Sequence, residues 1–256
     1  PDEFWTLTIN FQDNKKQIIS ASISQLDGKK IEKFSFKNKT EIDVAIKNIK
    51  DKEFNISDIS SKIVNRNPSG PFTTSTLQQV ASSRLGFGAS RTMQIAQRLY
   101  QGIEIDGETI GLITYMRTDG TNLSADAVSD FRNYIKNEYG KEYLPENPLN
   151  YSGKKAKNAQ EAHEAIRPTD INKTPESVKK YLSNDQQKLY NLIWGRSLSS
   201  QMETAKFDRS TITISSNDGN TICKSSGSVL KFDGFLKVFP SPSKDEDETL
   251  LPEMSK

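Results

Sequence analysis

Apolar and β-branched residues come first in short runs and later at helical spacing. Three runs open the chain, Phe4 to Phe11, Gln17 to Ile23 and Lys30 to Phe36, separated by the turn signals Asp13-Asn14 and Asp27-Gly28. They predict short antiparallel strands. Thr40 then stands as a cap before Ile42, Val44, Ala45, Ile46 and Ile49, whose spacing predicts a helix. A further strand-like run, Glu53 to Val64, leads into Asn67-Pro68-Ser69-Gly70-Pro71, a Pro/Gly cluster that marks a domain boundary.

From Phe72 to about Met202 the pattern is helical. Ser and Thr at 73 to 76 cap a helix through Arg84, Gly86-Phe87-Gly88 turns the chain, and Ser90 caps a second helix ending at Gly102. Two short helices about a glycine turn resemble a helix-turn-helix. A hairpin follows, Ile103 to Ile105 and Thr109 to Met116 about Asp106-Gly107, an order compatible with a winged-helix unit. Ser124 and Thr174-Pro175-Glu176 open further helices, and a long one covers about Asp185 to Gln201.

Strands return at Arg209 to Ser215, Thr221 to Ser226 and Val229 to Val238, the first two joined by the hairpin signal Asn217-Asp218-Gly219-Asn220. The expected fold class is α+β. A β-rich domain over 1–66 and 203–256 is interrupted by a mostly helical, winged-helix-like domain over 67–202.

Composition narrows the function. With 34% hydrophobic and 27% charged residues in 256, the chain has the make-up of a globular protein, not a disordered or collagenous one. No run approaches the roughly 18 apolar residues of a membrane helix, and no basic-then-apolar leader opens the chain, so no membrane role and a cytoplasmic setting are expected. One cysteine, Cys223, and one histidine, His163, rule out a disulfide framework and a Cys/His zinc site assembled from this chain alone. The first residue is Pro1, which suggests a piece of a longer polypeptide.

A net charge of +2 argues against a polycation, but the charge is unevenly placed. No acid lies between Asp58 and Glu104, a stretch that contains Lys62, Arg66, Arg84, Arg91 and Arg98. Arg91 and Arg98, seven apart on a predicted helix, share a face that suits phosphate contacts, although a basic stretch is as readily a solvated helix face. Lys154, Lys155 and Lys157 form a second, weaker patch, and Lys244 to Glu248 a solvated acidic loop that offers no metal site.

The densest chemistry lies in GLITYMRTDG, Gly111 to Gly120. If Thr114 to Arg117 is extended, Tyr115 and Arg117 project from one side. Tyrosine is a poor nucleophile at an ordinary pKa of roughly 10, and a neighbouring guanidinium both favours the phenolate and holds a phosphate oxygen. The alternative is a half-buried strand tyrosine beside an exposed arginine. On a helix, His163 and Arg167 would be adjacent and could clamp a phosphate; a lone exposed histidine is the plainer alternative.

Three ordered segments, PFTTSTLQQVASSRLGFG (71–88), LITYMRTDGTNLS (112–124) and AQEAHEAIRP (159–168), resemble the type IA DNA topoisomerases of bacteria. Weaker similarity continues through QKLYNLIW (187–194), QMET (201–204) and LKFDGFLKV (230–238). The resemblance implies an isomerase in which Tyr115 attacks a backbone phosphate of single-stranded DNA and becomes a 5'-phosphotyrosine. Arg117 would contact the scissile phosphate, His163 would assist positioning or proton movement, and Asp119 would orient the arginine. Arg84, Arg91, Arg98 and Arg167 are the further expected DNA contacts. Gly120 stands where many relatives carry Ser, a small departure beside the site.

The same resemblance implies that residues 67–202 carry the tyrosine and that the β-rich parts form an arch that swings open for strand passage. Resealing would need no ATP, negatively supercoiled DNA would be relaxed, and the working form would be a monomer associated with the nucleoid. Mg2+ would be bound by an acidic Toprim domain that this chain lacks, so the isolated chain is expected to be inactive. The competing expectation is a non-catalytic module that binds single-stranded DNA or is purely structural. A tyrosine recombinase is disfavoured, because its constellation of several Arg, His and Lys residues is not seen.

Overall fold

The computed structural model describes residues 4–12, 16–151, 164–241 and 251. In chain order it contains β1 (Thr8–Gln12), β2 (Ile18–Leu26), β3 (Lys29–Lys30), α1 (Lys39–Lys50) and β4 (Phe54–Arg66). Then come α2 (Thr74–Leu85), α3 (Ala89–Gln101), β5 (Ile103–Ile105), β6 (Glu108–Ile110) and α4 (Ala125–Glu138). The remainder is α5 (Pro175–Val178), α6 (Asn184–Ser199), β7 (Ala205–Ser216) and β8 (Ile222–Phe232). Helix and sheet are mixed, in keeping with the α+β expectation. The chain divides into two compact units, one of Pro1–Val64, Lys206–Lys231 and Ser243–Lys256, the other of Asn65–Ala205 and Phe232–Pro242.

The first unit is built on a sheet of strand order β1-β2-β8-β7-β4, with β3 paired to β2. Strand β2 alternates between exposed and buried positions, so that Ile19, Ala21 and Ile23 face inward. Helix α1 places Ile42, Ala45 and Ile49 in the same cluster, with Ile212, Ile214 and Cys223. Each isoleucine removed from water there contributes about 1.5–3 kcal/mol. The cap of α1 is Asn38 rather than Thr40: Asn38 Oδ1 accepts from Glu41 N at 3.0 Å, and Glu41 Oε2 accepts from Lys37 N at 2.8 Å. That reciprocal pair satisfies two backbone donors where a threonine two residues later would satisfy fewer. The run Lys30 to Phe36 is not a strand beyond Lys30 but a turn.

In the second unit α2 opens with a capping box between Thr73 and Thr76. It ends at Gly86, whose φ of 68° is a left-handed conformation that a side chain would strain. Helix α3 starts at Gly88 without a side-chain cap, not at Ser90. β5 and β6 then form the expected hairpin, shorter than predicted because β6 stops at Ile110. Ser124 and Thr174 cap α4 and α5 as the pattern predicts, and Ser183 begins α6 with a second capping box. Helix α6 packs against α2, α3 and α5 and buries Leu189, Tyr190, Ile193 and Leu198.

Residues 232–241, which the strand-like pattern groups with the β-rich part, pack in the helical unit. Phe235 N donates to Glu203 O at 2.9 Å, the Tyr143 hydroxyl donates to Asp233 Oδ1 at 2.7 Å, and Phe235, Leu236 and Phe239 are buried. Gly234–Lys237 form a short 3-10 helix, a periodicity too brief to separate from a strand in sequence.

Candidate active site

After Ile110 the chain crosses the helical unit as a strap held on both sides. Leu112 N donates to Leu99 O at 2.8 Å, Thr169 N donates to Leu112 O at 3.0 Å, and Thr114 N donates to Arg167 O at 2.9 Å. The Thr114 hydroxyl donates to Ala165 O at 2.7 Å and accepts from Arg167 N at 3.0 Å. At the far end the start of α2 takes over. Thr74 N donates to Thr118 O at 2.9 Å, while the Thr74 hydroxyl donates to Met116 O at 2.7 Å and accepts from Thr118 N at 2.9 Å.

These clamps replace the strand partner that the pattern predicts for Thr114 to Arg117, which lie outside any named strand. The extended alternation survives all the same. Met116 and Thr118 are 1% and 8% exposed, whereas Tyr115, Arg117 and Asp119 face solvent. Gly111 permits the close passage, since a Cβ there would stand 2.7 Å from the carbonyl oxygen of Tyr100.

Tyr115 is 49% exposed and meets the ring of Tyr100, itself 41% exposed, at 5.4 Å between centroids and 64° between planes. Edge-to-face contact of this kind restricts how the phenol tilts. Tyr100 escapes a reading of the sequence because nothing local marks it; it reaches Tyr115 only because Gly111 lets the strap lie against the end of α3. Arg117 has no hydrogen bond or ion pair among the described residues, and no ion pair joins it to Asp119. Its guanidinium therefore keeps its donors available for an incoming anion.

The other expected arginines are placed differently. Arg167 lies in an extended segment, not on a helix, and forks onto Glu164 at 2.6 and 3.2 Å. Glu164 also accepts from Ser124 N at 2.9 Å, so the pair ties the strap's neighbour to the start of α4. Burial pushes the Glu164 carboxyl upward, but the Arg167 and Ser124 hydrogen bonds outweigh it and hold the acid below its ordinary range.

Arg91 bonds Asp185 at 3.1 and 2.5 Å and lies 4.6 Å from the Phe87 centroid. The guanidinium of Arg84 stacks on Phe239 at 4.2 Å, a ring that Arg196 also faces. Arg98 is exposed, with no partner among the described residues. His163, Lys154, Lys155 and Lys157, and the run Lys244 to Glu248, lie outside the described residues.

Among the described residues no three His, Cys, Asp or Glu side chains gather to hold a metal ion. No helix among them is long and apolar enough to cross a membrane. Tyr115 also stands outside the cleft of about 280 Å3 between Asn122, Val128, Leu149, Tyr151 and Gln201. A phenol on an open surface is more accessible to a polymer than one enclosed in a pocket.

A family model described as DNA topoisomerase matches residues 1–256. DNA topoisomerase 1 of Rickettsia typhi is 45% identical over 247 residues, covering 96% of this chain and 32% of that protein. The Haemophilus influenzae enzyme of the same name is 43% identical over 255 residues, covering 100% of this chain and 28% of that protein. The chain thus spans about a third of the length of such relatives. Full-length topoisomerase I from Thermotoga maritima superposes with a TM-score of 0.71 at 36% identity, over 92% of this chain and 36% of that one. With the whole sequence matched and the fold shared, the chain belongs to the DNA topoisomerase family.

Proposed function

We propose that the chain carries the nucleophile of a type IA topoisomerase and that Tyr115 cuts one strand of DNA. The observation that carries this reading is the outward pair on the strap, a half-exposed Tyr115 beside an Arg117 with no described partner. In the reaction the Tyr115 phenolic oxygen attacks a backbone phosphorus. The bond to the 3'-oxygen of the preceding nucleotide breaks, a 5'-phosphotyrosine forms, and the phenolic proton leaves as the 3'-hydroxyl is released. Arg117 binds a non-bridging oxygen and spreads the charge of the crowded phosphorane. Attack by the same 3'-hydroxyl reverses the step, so resealing draws on the stored phosphodiester and needs no ATP.

Single-stranded DNA within a negatively supercoiled duplex is the substrate in this reading, and the β-rich unit serves as the arch that moves for strand passage. His163 assists positioning or proton movement. Mg2+ belongs to a Toprim domain elsewhere in the parent protein, which works as a monomer at the nucleoid in the cytoplasm. The competing reading, a non-catalytic binding module, has no observation that favours it over family membership.

The test is a 3'-end-labelled single strand mixed with the full-length protein. Label should become covalently attached to the wild type, and Tyr115→Phe should abolish the attachment; an adduct that persists in that variant overturns the assignment. The 256-residue chain alone should relax supercoiled DNA little or not at all.

A further inference from the structure

The β-rich unit carries a second concentration of charge and aromatic surface that the tyrosine strap does not use. From Lys29 to Lys39 the sequence KKIEKFSFKNK holds five lysines and a single acid, Glu32. Lys30 pairs with Glu32 at 3.0 Å, which leaves four lysines uncompensated within the segment. The turn is stiffened by Glu32 N donating to Ser35 Oγ at 2.7 Å and Ser35 N donating to Glu32 O at 3.0 Å. It sorts its side chains sharply. Phe36 is buried and Ile31 packs on the core, whereas Lys29, Lys33, Phe34, Lys37 and Lys39 are exposed.

Phe34 is 50% and Phe4 44% exposed, and the two rings meet edge to face at 5.8 Å and 78°. Lys33 Nζ lies 4.7 Å from the Phe4 centroid and 5.4 Å from that of Phe34. Alongside runs a groove of about 210 Å3 between Trp5, Leu7, Ile31 and Phe36. The buried indole N–H of Trp5 has no hydrogen-bond partner among the described residues. Single exposed phenylalanines are common; two in contact under an ammonium, on a turn with excess positive charge, are not explained by packing.

We propose that this turn, together with Phe4, is a second contact for single-stranded DNA, apart from Tyr115. It rests on the reading above that DNA is the partner. Unpaired bases stack on the exposed phenyl rings, and Lys29, Lys33, Lys37 and Lys39 meet the phosphates on either side. Phenyl faces accept any base and lysines act as mobile point charges, so the contact tolerates any sequence. A duplex hides its base faces and cannot use the rings.

The test measures binding of a fluorescent oligothymidylate to the 256-residue chain across a salt series. The double variant Phe4→Leu/Phe34→Leu should bind about tenfold more weakly at every salt concentration with the slope of log Kd against log salt unchanged, as loss of stacking requires. The triple variant Lys29→Gln/Lys33→Gln/Lys37→Gln should reduce that slope by about 2, from roughly 0.7 per phosphate contact. Binding of an equally long duplex should be indifferent to the Phe pair. Unchanged oligothymidylate affinity in the Phe variant, or an equal loss for duplex, overturns the proposal. All these side chains are exposed, so unchanged thermal midpoints are expected and serve as the folding control. If the tyrosine adduct fails to form while Phe-dependent binding persists, the nucleophile reading falls and this one stands; the reverse pattern removes this one alone.

Discussion

The strap and strand β4 are both extended, yet they are embedded in opposite ways. Along the strap Leu112, Ile113 and Met116 are almost wholly buried, and its backbone is bonded to α2, to the end of α3 and to the 164–169 segment. Strand β4 runs for 13 residues without one that is buried. Holding an attacking oxygen in place demands neighbours on every side, because a misplacement of about 1 Å from productive geometry lowers rate steeply. A strand that contributes little core can bend or refold locally at low cost. The contrast assigns tight positioning to the strap and a looser setting to β4.

The largest expected effect tests that contrast directly. Leu112→Ala should destabilise by about 2–5 kcal/mol through the cavity it leaves. Ile63→Ala in β4, at a side chain 59% exposed, should cost less than about 0.5 kcal/mol. Denaturant unfolding of both variants measures the difference, and similar losses would break the comparison. Next comes Thr74→Val, which keeps the shape but strips the Met116 carbonyl and the Thr118 N–H of their partner. It should cost about 1–3 kcal/mol and slow adduct formation at Tyr115. A variant with normal adduct kinetics would show that the strap is held by its other bonds.

The smallest effect concerns pH. The folded pKa of Glu164 is depressed, so its contribution is present above the unfolded value of about 4.3 and is lost as pH falls through the folded pKa. Glu164→Gln should therefore be less stable than the parent near neutrality and approach it as the pH drops below about 4. Parallel stability profiles for the two proteins across that range would show that the clasp between Glu164 and Arg167 adds nothing.

Local sequence carried much of this architecture. Ser124 and Thr174 announce their helices because a cap bonds only three residues ahead, and the 217–220 turn announces its hairpin for the same local reason. Where partners are distant the pattern misleads. Arg91 reads as a free cation, but its acid, Asp185, lies 94 residues away in the chain. Arg167 reads as a helical neighbour of His163, yet the 164–168 segment is drawn straight by bridges to Phe72, Ile113 and Asn122. The Lys30 to Phe36 run has strand composition, but Glu32 and Ser35 close it into a turn. The shared outward face of Tyr115 and Arg117 was legible from their spacing, whereas the Thr74 clamp and Tyr100 depend on the tertiary fold.

The alternation along the strap gives the tyrosine a parity. Met116 and Thr118 occupy the inner positions, so losing or adding one residue between Gly111 and Tyr115 would exchange the two faces, bury the phenol and expose the methionine. Substitution can be graded, but length here is all or nothing. In a library of single-residue insertions and deletions, the window 111–119 should admit no change that keeps adduct formation, while the 217–220 hairpin tip should admit several. For evolution, the spacing between the hairpin and the tyrosine would then be a more rigid inheritance than most of the side chains that line it.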